Sequence, residues 1–489
     1  MNKHLFALIA AVLVGLIANA EAAEKLAILP DIVLATNVAA ANSDTGDPGR
    51  PAVGFDGTNY LIVFYRSSGD SPGLFGATIS PKGSLLREFS ITDLMNNNQS
   101  PHPALAFDGT NYLLVFDYQG GGKILGLRIS PAGQVLDTNG AISISSGTPY
   151  QITNYRPSVA FDGHRYLVVW QKYIDPNFSI YGAFVTPDGQ ASSEFLIFSG
   201  SLWQTGPQVA FDGVNYFVVW ENEHGVWPDE DLDIYGARVN QTGTVLDAPG
   251  VPICSAPYDQ QSPALAFNGK DYMVVWLDER TNDSDPNIQK IYGTRVDTNC
   301  EVLDGPASAG GIPINTSAAE YKNNPRVCFD GCNFFVTWWV GSYGTGSFAA
   351  RISTDGILID GPSDGTGIPL RISDCYSCMV ANPNPISNGR SVLVPWLDNA
   401  ELGGTFKQVL ANLIVPQPSI SFGDAGNLGE PRITFQSRSN VSYTIESCAD
   451  LTNWRELETT NSQTNGNLEI PLTTITLNSN LFFRLRIDY

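Results

Sequence analysis

The chain has 489 residues, 43% hydrophobic and 16% charged, with 27 Lys and Arg against 49 Asp and Glu for a formal net charge of −22. That balance excludes a nucleic-acid partner, because neutralising a phosphate backbone needs clustered cations; it favours solubility and leaves room for bound cations such as calcium. The 47 glycines and 31 prolines suit a turn-rich all-β chain, long enough to bury a large core.

Lys3 precedes an apolar run from Leu5 to Ile17, and small residues Ala18, Ala20, Ala22 and Ala23 follow. This is the pattern of an export signal over residues 1–22, with the mature chain starting near Glu21 to Glu24. The run is short for a bilayer span. The expectation is a protein secreted or held at the cell surface, with no transmembrane segment once the signal is removed.

From Pro51 onward one register recurs seven times, running from a proline through a glycine to a large aromatic with no insertion. Pro51, Gly57 and Phe64 form the first copy, and Pro157, Gly163 and Trp170 the third. The others start at Pro103, Pro207, Pro263, Pro325 and Pro383 and end at Phe116, Trp220, Trp276, Trp338 and Trp396. In the third copy Ser158–Phe161 reads as a strand, Asp162-Gly163 as a hairpin turn and Tyr166–Trp170 as a second strand. Ile180–Val185 reads as a third, matched by Ile234–Val239 and Ile291–Val296. Short fourth strands follow at Phe195–Phe198, Val251–Cys254 and Ile312–Asn315.

Four antiparallel strands per copy and seven copies predict a seven-bladed β-propeller. The seventh copy ends after Gln408–Ile414 without a fourth strand, whereas Asp31–Thr36 stands unclaimed before the first proline. An N-terminal strand completing the last blade would close the ring and remove two open sheet edges. The propeller is therefore expected over residues 25–415. Pro416-Gln-Pro418 reads as a linker, and residues 417–489, with short alternating strands and no repeat, as a small β-sandwich-like domain.

Seven cysteines are an odd number, so not all pair within one chain. Cys328 and Cys332 flank one hairpin, Cys375 and Cys378 form a Cys-x-x-Cys before the seventh blade, and Cys254 with Cys300 is a further possible pair. In an exported protein the first two sets are expected as structural bridges rather than zinc or redox sites.

The stretch Tyr443-Thr-Ile-Glu-Ser-Cys-Ala-Asp-Leu-Thr-Asn-Trp454 with Phe482-Phe-Arg-Leu485 resembles a C-terminal β module of exported proteins from Verrucomicrobia-like and Planctomycetes-like bacteria. The repeats, with Phe-Asp-Gly-x-Asn-Tyr and Ile-Tyr-Gly-x-Arg-Val, resemble exported bacterial propeller repeats found beside such modules. Neither resemblance implies a defined activity. The sialidase signature Ser-x-Asp-x-Gly-x-Thr-Trp is absent.

Residues present in every blade are explained by blade construction, so function is sought where blades differ. Before the prolines stand Arg50, His102, Arg156, Gly206, Ser262, Asn324 and Asn382, which should ring the mouth of the central channel. Arg50, His102 and Arg156 have the chemistry to hold an anion or carboxylated ligand, or else to bond loop carbonyls, the commoner use of such groups. Tyr150, Tyr155, Trp203, Tyr258, Tyr321 and Tyr376 lie in loops leading into innermost strands, and Trp227 and Trp339 in or beside loops between second and third strands. Aromatic faces with a few polar groups are a sugar-binding inventory; the alternative is that each ring caps the core beneath it.

Two long loops are acidic, Glu221–Asp233 and Asp278–Asp285. Asp229, Asp231, Asp283 and Asp285 are the residues there suited to calcium, without EF-hand spacing; a solvated acidic loop is the plainer reading. Glu221, Glu223, Asp278 and Glu279, read as occupying corresponding positions on neighbouring blades, are the only carboxylate candidates for glycoside hydrolysis, which needs two facing carboxyls. Serine-hydrolase, zincin and phosphate-loop motifs are absent. The sequence thus favours a non-catalytic exported binding propeller for a glycan or extracellular protein ligand. The alternative is a carbohydrate-active, glycoside hydrolase-like enzyme using acidic residues on that face.

Overall fold

The structure is a computed structural model. It describes residues 25–28, 31–39, 51–66, 73–92, 101–118, 122–148, 152–226, 229–280, 289–317, 322–340, 346–360, 367–372, 380–381, 384–398, 406–417, 421–423, 432–437, 442–448, 455–461, 466–471 and 482–488. The export signal, Cys375 and Cys378 lie outside the described residues. The chain divides into two compact units, residues 28–415 and residues 416–489 with the first 27.

The first unit is the seven-bladed propeller. Six antiparallel four-stranded sheets follow one another in chain order, the third blade being Ile152–Phe161, Tyr166–Ile174, Asn177–Val185 and Phe195–Phe198. The seventh sheet draws on both ends of the unit. Ile386–Ser387 pairs with Val392–Asp398, which pairs with Phe406–Gln417, and Ile32–Ala39 adds antiparallel to that strand with Ile32 opposite Ala411. Leu34 is buried with Tyr60, Phe64, Leu393 and Val409, so the N-terminal strand seals the seam between the last blade and the first.

Each hairpin is made the same way. Asp56 Oδ1 accepts the backbone N–H groups of Thr58 and Asn59 at 2.7 and 2.6 Å, and Asp108, Asp162, Asp212, Asn268, Asp330 and Asn388 do the same. The next residue must take positive φ, as at Gly163 with φ +92 and open space around it, so glycine is there for its backbone and not for room.

The tyrosine at the start of the second strand reaches back to the preceding hairpin. Tyr112 donates to Asn59 O, Tyr166 to Asn111 O and Tyr216 to Arg165 O at 3.1–3.4 Å, and Tyr60 to Ser391 O across the closure seam. The arginine of Ile-Tyr-Gly-x-Arg-Val is a second link. Arg128, Arg238 and Arg295 each fork onto an aspartate nine residues on, Asp137, Asp247 and Asp304, at 2.7 Å. Each also donates to a carbonyl of the following blade, Pro187, Thr298 or Thr354. The tryptophans at the register ends, Trp170, Trp220, Trp276, Trp338 and Trp396, are fully buried, and the described core clusters each span two neighbouring blades.

The second unit contains two three-stranded antiparallel sheets, one of 421–423, 432–437 and 466–471 and one of 455–461, 442–448 and 482–488. Tyr443 and Ile445 are buried within it.

The expected bridge between Cys328 and Cys332 is not formed: both are free thiols, as are Cys254 and Cys300. Cys328 lies in the strand opposite Phe335 whereas Cys332 sits in the turn, its N–H bonded to Asp330, so the hairpin does not set the two sulfurs across from one another. Cys254 and Cys300 share one core cluster but turn to different partners, Arg280 and Asp247; burial pushes both thiols up to about 12.

Two outcomes follow. A chain lacking residues 25–40 should lose the single cooperative unfolding transition of the parent, read by thermal melting; an unchanged transition contradicts closure by that strand. Arg238→Leu or Arg295→Leu should lower stability by roughly 1.5–3 kcal/mol in urea unfolding, because a largely buried aspartate loses its charged donors.

Candidate functional site

A cavity of about 190 Å³ occupies the centre of the ring on the face where chains lead into the innermost strands. Its wall includes His102, Arg156, Gly206 and Ser262 from before the prolines, and Ser158, Gln208, Arg326 and Asn384 from just after them. The second group faces the same space because it continues the innermost strands, a position sequence reasoning set aside as blade construction. Arg50 and Asn382 lie outside the described residues.

In blades three to six the innermost strand carries an irregularity at the proline, with register shifts between Tyr155 and Ser158, Thr205 and Gln208, Gln261 and Ala264, and Asn323 and Arg326. The residue before each of these prolines has left-handed backbone, with φ 52 at Arg156, 62 at Gly206, 57 at Ser262 and 48 at Asn324. Gly and Asn tolerate this; Arg and Ser do so at a cost. The residue after the register aromatic in the preceding blade supplies the restraint. Asp117, Gln171 and Glu221 accept the N–H groups of Arg156, Gly206 and Ser262 at 3.3, 2.9 and 2.7 Å. These bulges bend the chain at the channel mouth and aim its side chains, a device common beside functional sites.

His102 and Arg156 divide between the two uses foreseen for them. The His102 ring lies 2.8 Å from the buried Asp117 carboxylate, which also accepts the His102 N–H, so this side chain is committed to the wall. Burial alone would raise Asp117, but the His102 ring and the N–H donors of His102 and Arg156 together hold it below the usual carboxylate range. Arg156 forms no side-chain hydrogen bond or ion pair among the described residues. Among the described residues the Arg326 side chain bonds only the Pro325 carbonyl, at 2.7 Å.

In blades three to six the incoming loops are pinned from below by a buried polar side chain three residues before the proline. Asn154 donates to Gly122 O and Ser146 O, Gln204 accepts from Gly200, Gln260 donates to Tyr258 O, and Lys322 donates to Gln289 O and Ser317 O. Above these anchors, Trp203 is 50% exposed and Tyr258 48%. Trp203 stands edge-on to Phe178 at 5.5 Å, and Phe178 also meets Tyr173 at 5.0 Å and Tyr155 at 6.3 Å. Glu223 clamps Trp203 in both directions, accepting its N–H at 3.0 Å and donating its own to Trp203 O at 2.9 Å. Trp203 Nε1 donates to Pro176 O. Trp339, by contrast, is 9% exposed and fills the wall position that Asp117, Gln171 and Glu221 hold elsewhere, so it offers no face to a ligand. Tyr321 and Trp227 lie outside the described residues.

The carboxylate candidates are not equivalent. Strand register aligns Asp278 with Asn222, both opposite a buried glutamine, and sets Glu279 in the place of Glu223; Glu221 has Leu277 as its counterpart. The expected correspondence therefore holds for Glu223 and Glu279 alone. Glu221 accepts one hydrogen bond at each oxygen, from Thr205 Oγ1 at 2.5 Å and from the Ser262 N–H, and Asp278 is fully buried under Arg280 and Trp276 Nε1. Glu279 is held by Gln289 at 3.1 Å. Desolvation raises it, as it does Asp259; the charges of Asp259 and Asp278 push Glu279 further, and those of Asp231 and Glu221 push Asp259. Asp259 is the member sequence reasoning missed.

Among the described residues no group of three or more His, Cys, Asp or Glu is arranged to hold a metal ion. Asp231 is described, the side chain of Asp229 is not, and Asp283 and Asp285 lie outside. No helix among the described residues is long and apolar enough to cross a membrane.

The sequence matches no family model and no curated protein. Among solved structures it is similar to a family-43 endo-arabinanase of Bacillus licheniformis, at 13% identity over 52% of this chain and 96% of that one, with a TM-score of 0.33. It is also similar to a prolyl endopeptidase, at 13% identity over 83% of this chain and 54% of that one, TM-score 0.43, and to an acylaminoacyl peptidase of Pyrococcus horikoshii, at 10% over 79% and 58%, TM-score 0.41. Similarity at this level says nothing of what this chain binds or does.

A carboxyl raised in the folded state favours folding while protonated and opposes it once ionised, so its contribution is present below the unfolded value and is lost as pH rises through the folded one. Glu279→Gln and Asp259→Asn should therefore raise the melting temperature at pH 7, and the gain should vanish below about pH 4. Equal gains at pH 3 and pH 7 would contradict the assigned burial of charge.

Proposed function

We propose that this is an exported binding propeller that takes a glycan on the face around the channel mouth, with the C-terminal β domain as an accessory or attachment module. The observation that carries the reading is the aromatic surface of blades three and four. A half-exposed indole stands edge-on to Phe178, which itself packs on Tyr173, and it is fixed by Glu223 and by a loop anchored on Gln204. A rigid aromatic face loses little conformational freedom on binding, which favours affinity for a ligand that offers few charges. Glu221 and Asp278 support binding over hydrolysis because their oxygens are already used inside the wall.

A hydrolase reading draws on one observation, the raised Asp259 and Glu279 on neighbouring loops, since a general acid needs such a shift. It lacks a second carboxylate with free oxygens opposite them among the described residues.

Trp203→Ala should weaken binding of neutral oligosaccharides by about tenfold or more in calorimetry, with the melting transition retained, as expected for loss of one stacking face worth about 1.5 kcal/mol. Unchanged affinity would remove the aromatic surface from the account, and a protein that retains no glycan at all would turn this face over to a protein ligand.

A further inference from the structure

The central cavity has an electrostatic character the aromatic surface does not share. Arg156 belongs to blade three and Arg326 to blade six, three blades apart in a ring of seven, so their chains approach the cavity from opposite sides. Neither guanidinium forms an ion pair among the described residues, although every arginine of the Arg–Asp clasps does. Arg87 and Arg165 also lack a carboxylate, but they stack on Phe89 and Phe184, whereas Arg156 and Arg326 line the cavity.

The local charge selects a class of ligand. Asp117 is held by the ring and N–H of His102, and Glu221, the carboxylate that lines the cavity among the described residues, accepts from Ser262 and Thr205. Among the described residues that line the cavity, two guanidinium groups therefore face one carboxylate. We propose that the channel mouth is a binding site for a small monocarboxylate, whose head group is gripped between Arg156 and Arg326. A dianion would exceed the balance and meet the surrounding negative potential, whereas planar forks and a carboxylate match in geometry. The cavity, at about 190 Å³, is below the usual 300–1,000 Å³ of drug-sized sites, so it admits one acid-bearing unit rather than an oligomer. This inference stands whether or not the aromatic surface holds a neutral glycan.

The repeat supplies the variants. Blade six carries Asn324 where blade three has Arg156, in the same left-handed backbone, and blade four carries Gln208 where blade six has Arg326. Arg156→Asn and Arg326→Gln therefore replace each arginine with a residue the fold already accepts at that position. The test is calorimetric titration of the mature protein with galacturonate, galactose, acetate and sulfate. Galacturonate and acetate should bind and galactose should not bind in the channel; each single variant should lose about tenfold in galacturonate affinity, and the double variant should bind none. Sulfate bound more tightly than galacturonate would overturn the carboxylate class. No binding of either carboxylate by the parent, or parental affinity in a double variant that melts as the parent does, would overturn the site.

Discussion

Everything in the propeller depends on the strand Ile32–Ala39 lying against Phe406–Gln417. A ring of sheets has no stable partial form at its seam: without that strand the seventh blade presents an unpaired edge and the first blade loses the apolar layer that Leu34 completes. Around the rest of the circle the same problem is solved by repetition. Tyrosine hydroxyls bind the preceding hairpin, arginine forks bind the following blade, and buried tryptophans fill the layers between. Because the Tyr60 hydroxyl makes that bond to Ser391, the closure seam is held as the other interfaces are.

That uniform frame lets single departures carry chemistry. The wall position after the register aromatic is Asp117, Gln171 and Glu221 in blades two to four, each holding a residue of left-handed backbone in the next blade, and it is Trp339 in blade six. Bulges and pinned loops set the backbone of the channel mouth, and Glu223 with Pro176 O fixes the direction of Trp203. Glu221 and Asp278, which look available in sequence, take part in this bracing.

How much was legible follows from which signals are local. The Asp-Gly turns, the paired strands and the donated N-terminal strand all rest on short-range patterns and on one missing element, and these specify the blades and their closure. Trp203 and Tyr258 were readable as exposed loop aromatics for the same reason. Arg326 was not, because its position immediately after a proline looks like strand interior, and only ring geometry turns that residue toward the channel. Nor was the capping role of Glu221, which spans 41 residues to Ser262, or the one-residue offset between Glu221 and Asp278, which depends on strand register. The hairpin cysteines misled because closeness in sequence around a turn does not place two side chains opposite each other.

As proposed, this face holds a saccharide without cutting it. The most direct measurement is to incubate the purified mature protein with immobilised neutral and acidic polysaccharides, measuring retained protein and, in the same wells, shortened products released over time. The account predicts retention with chain lengths unchanged. Release of shortened chains that scales with protein concentration would contradict it.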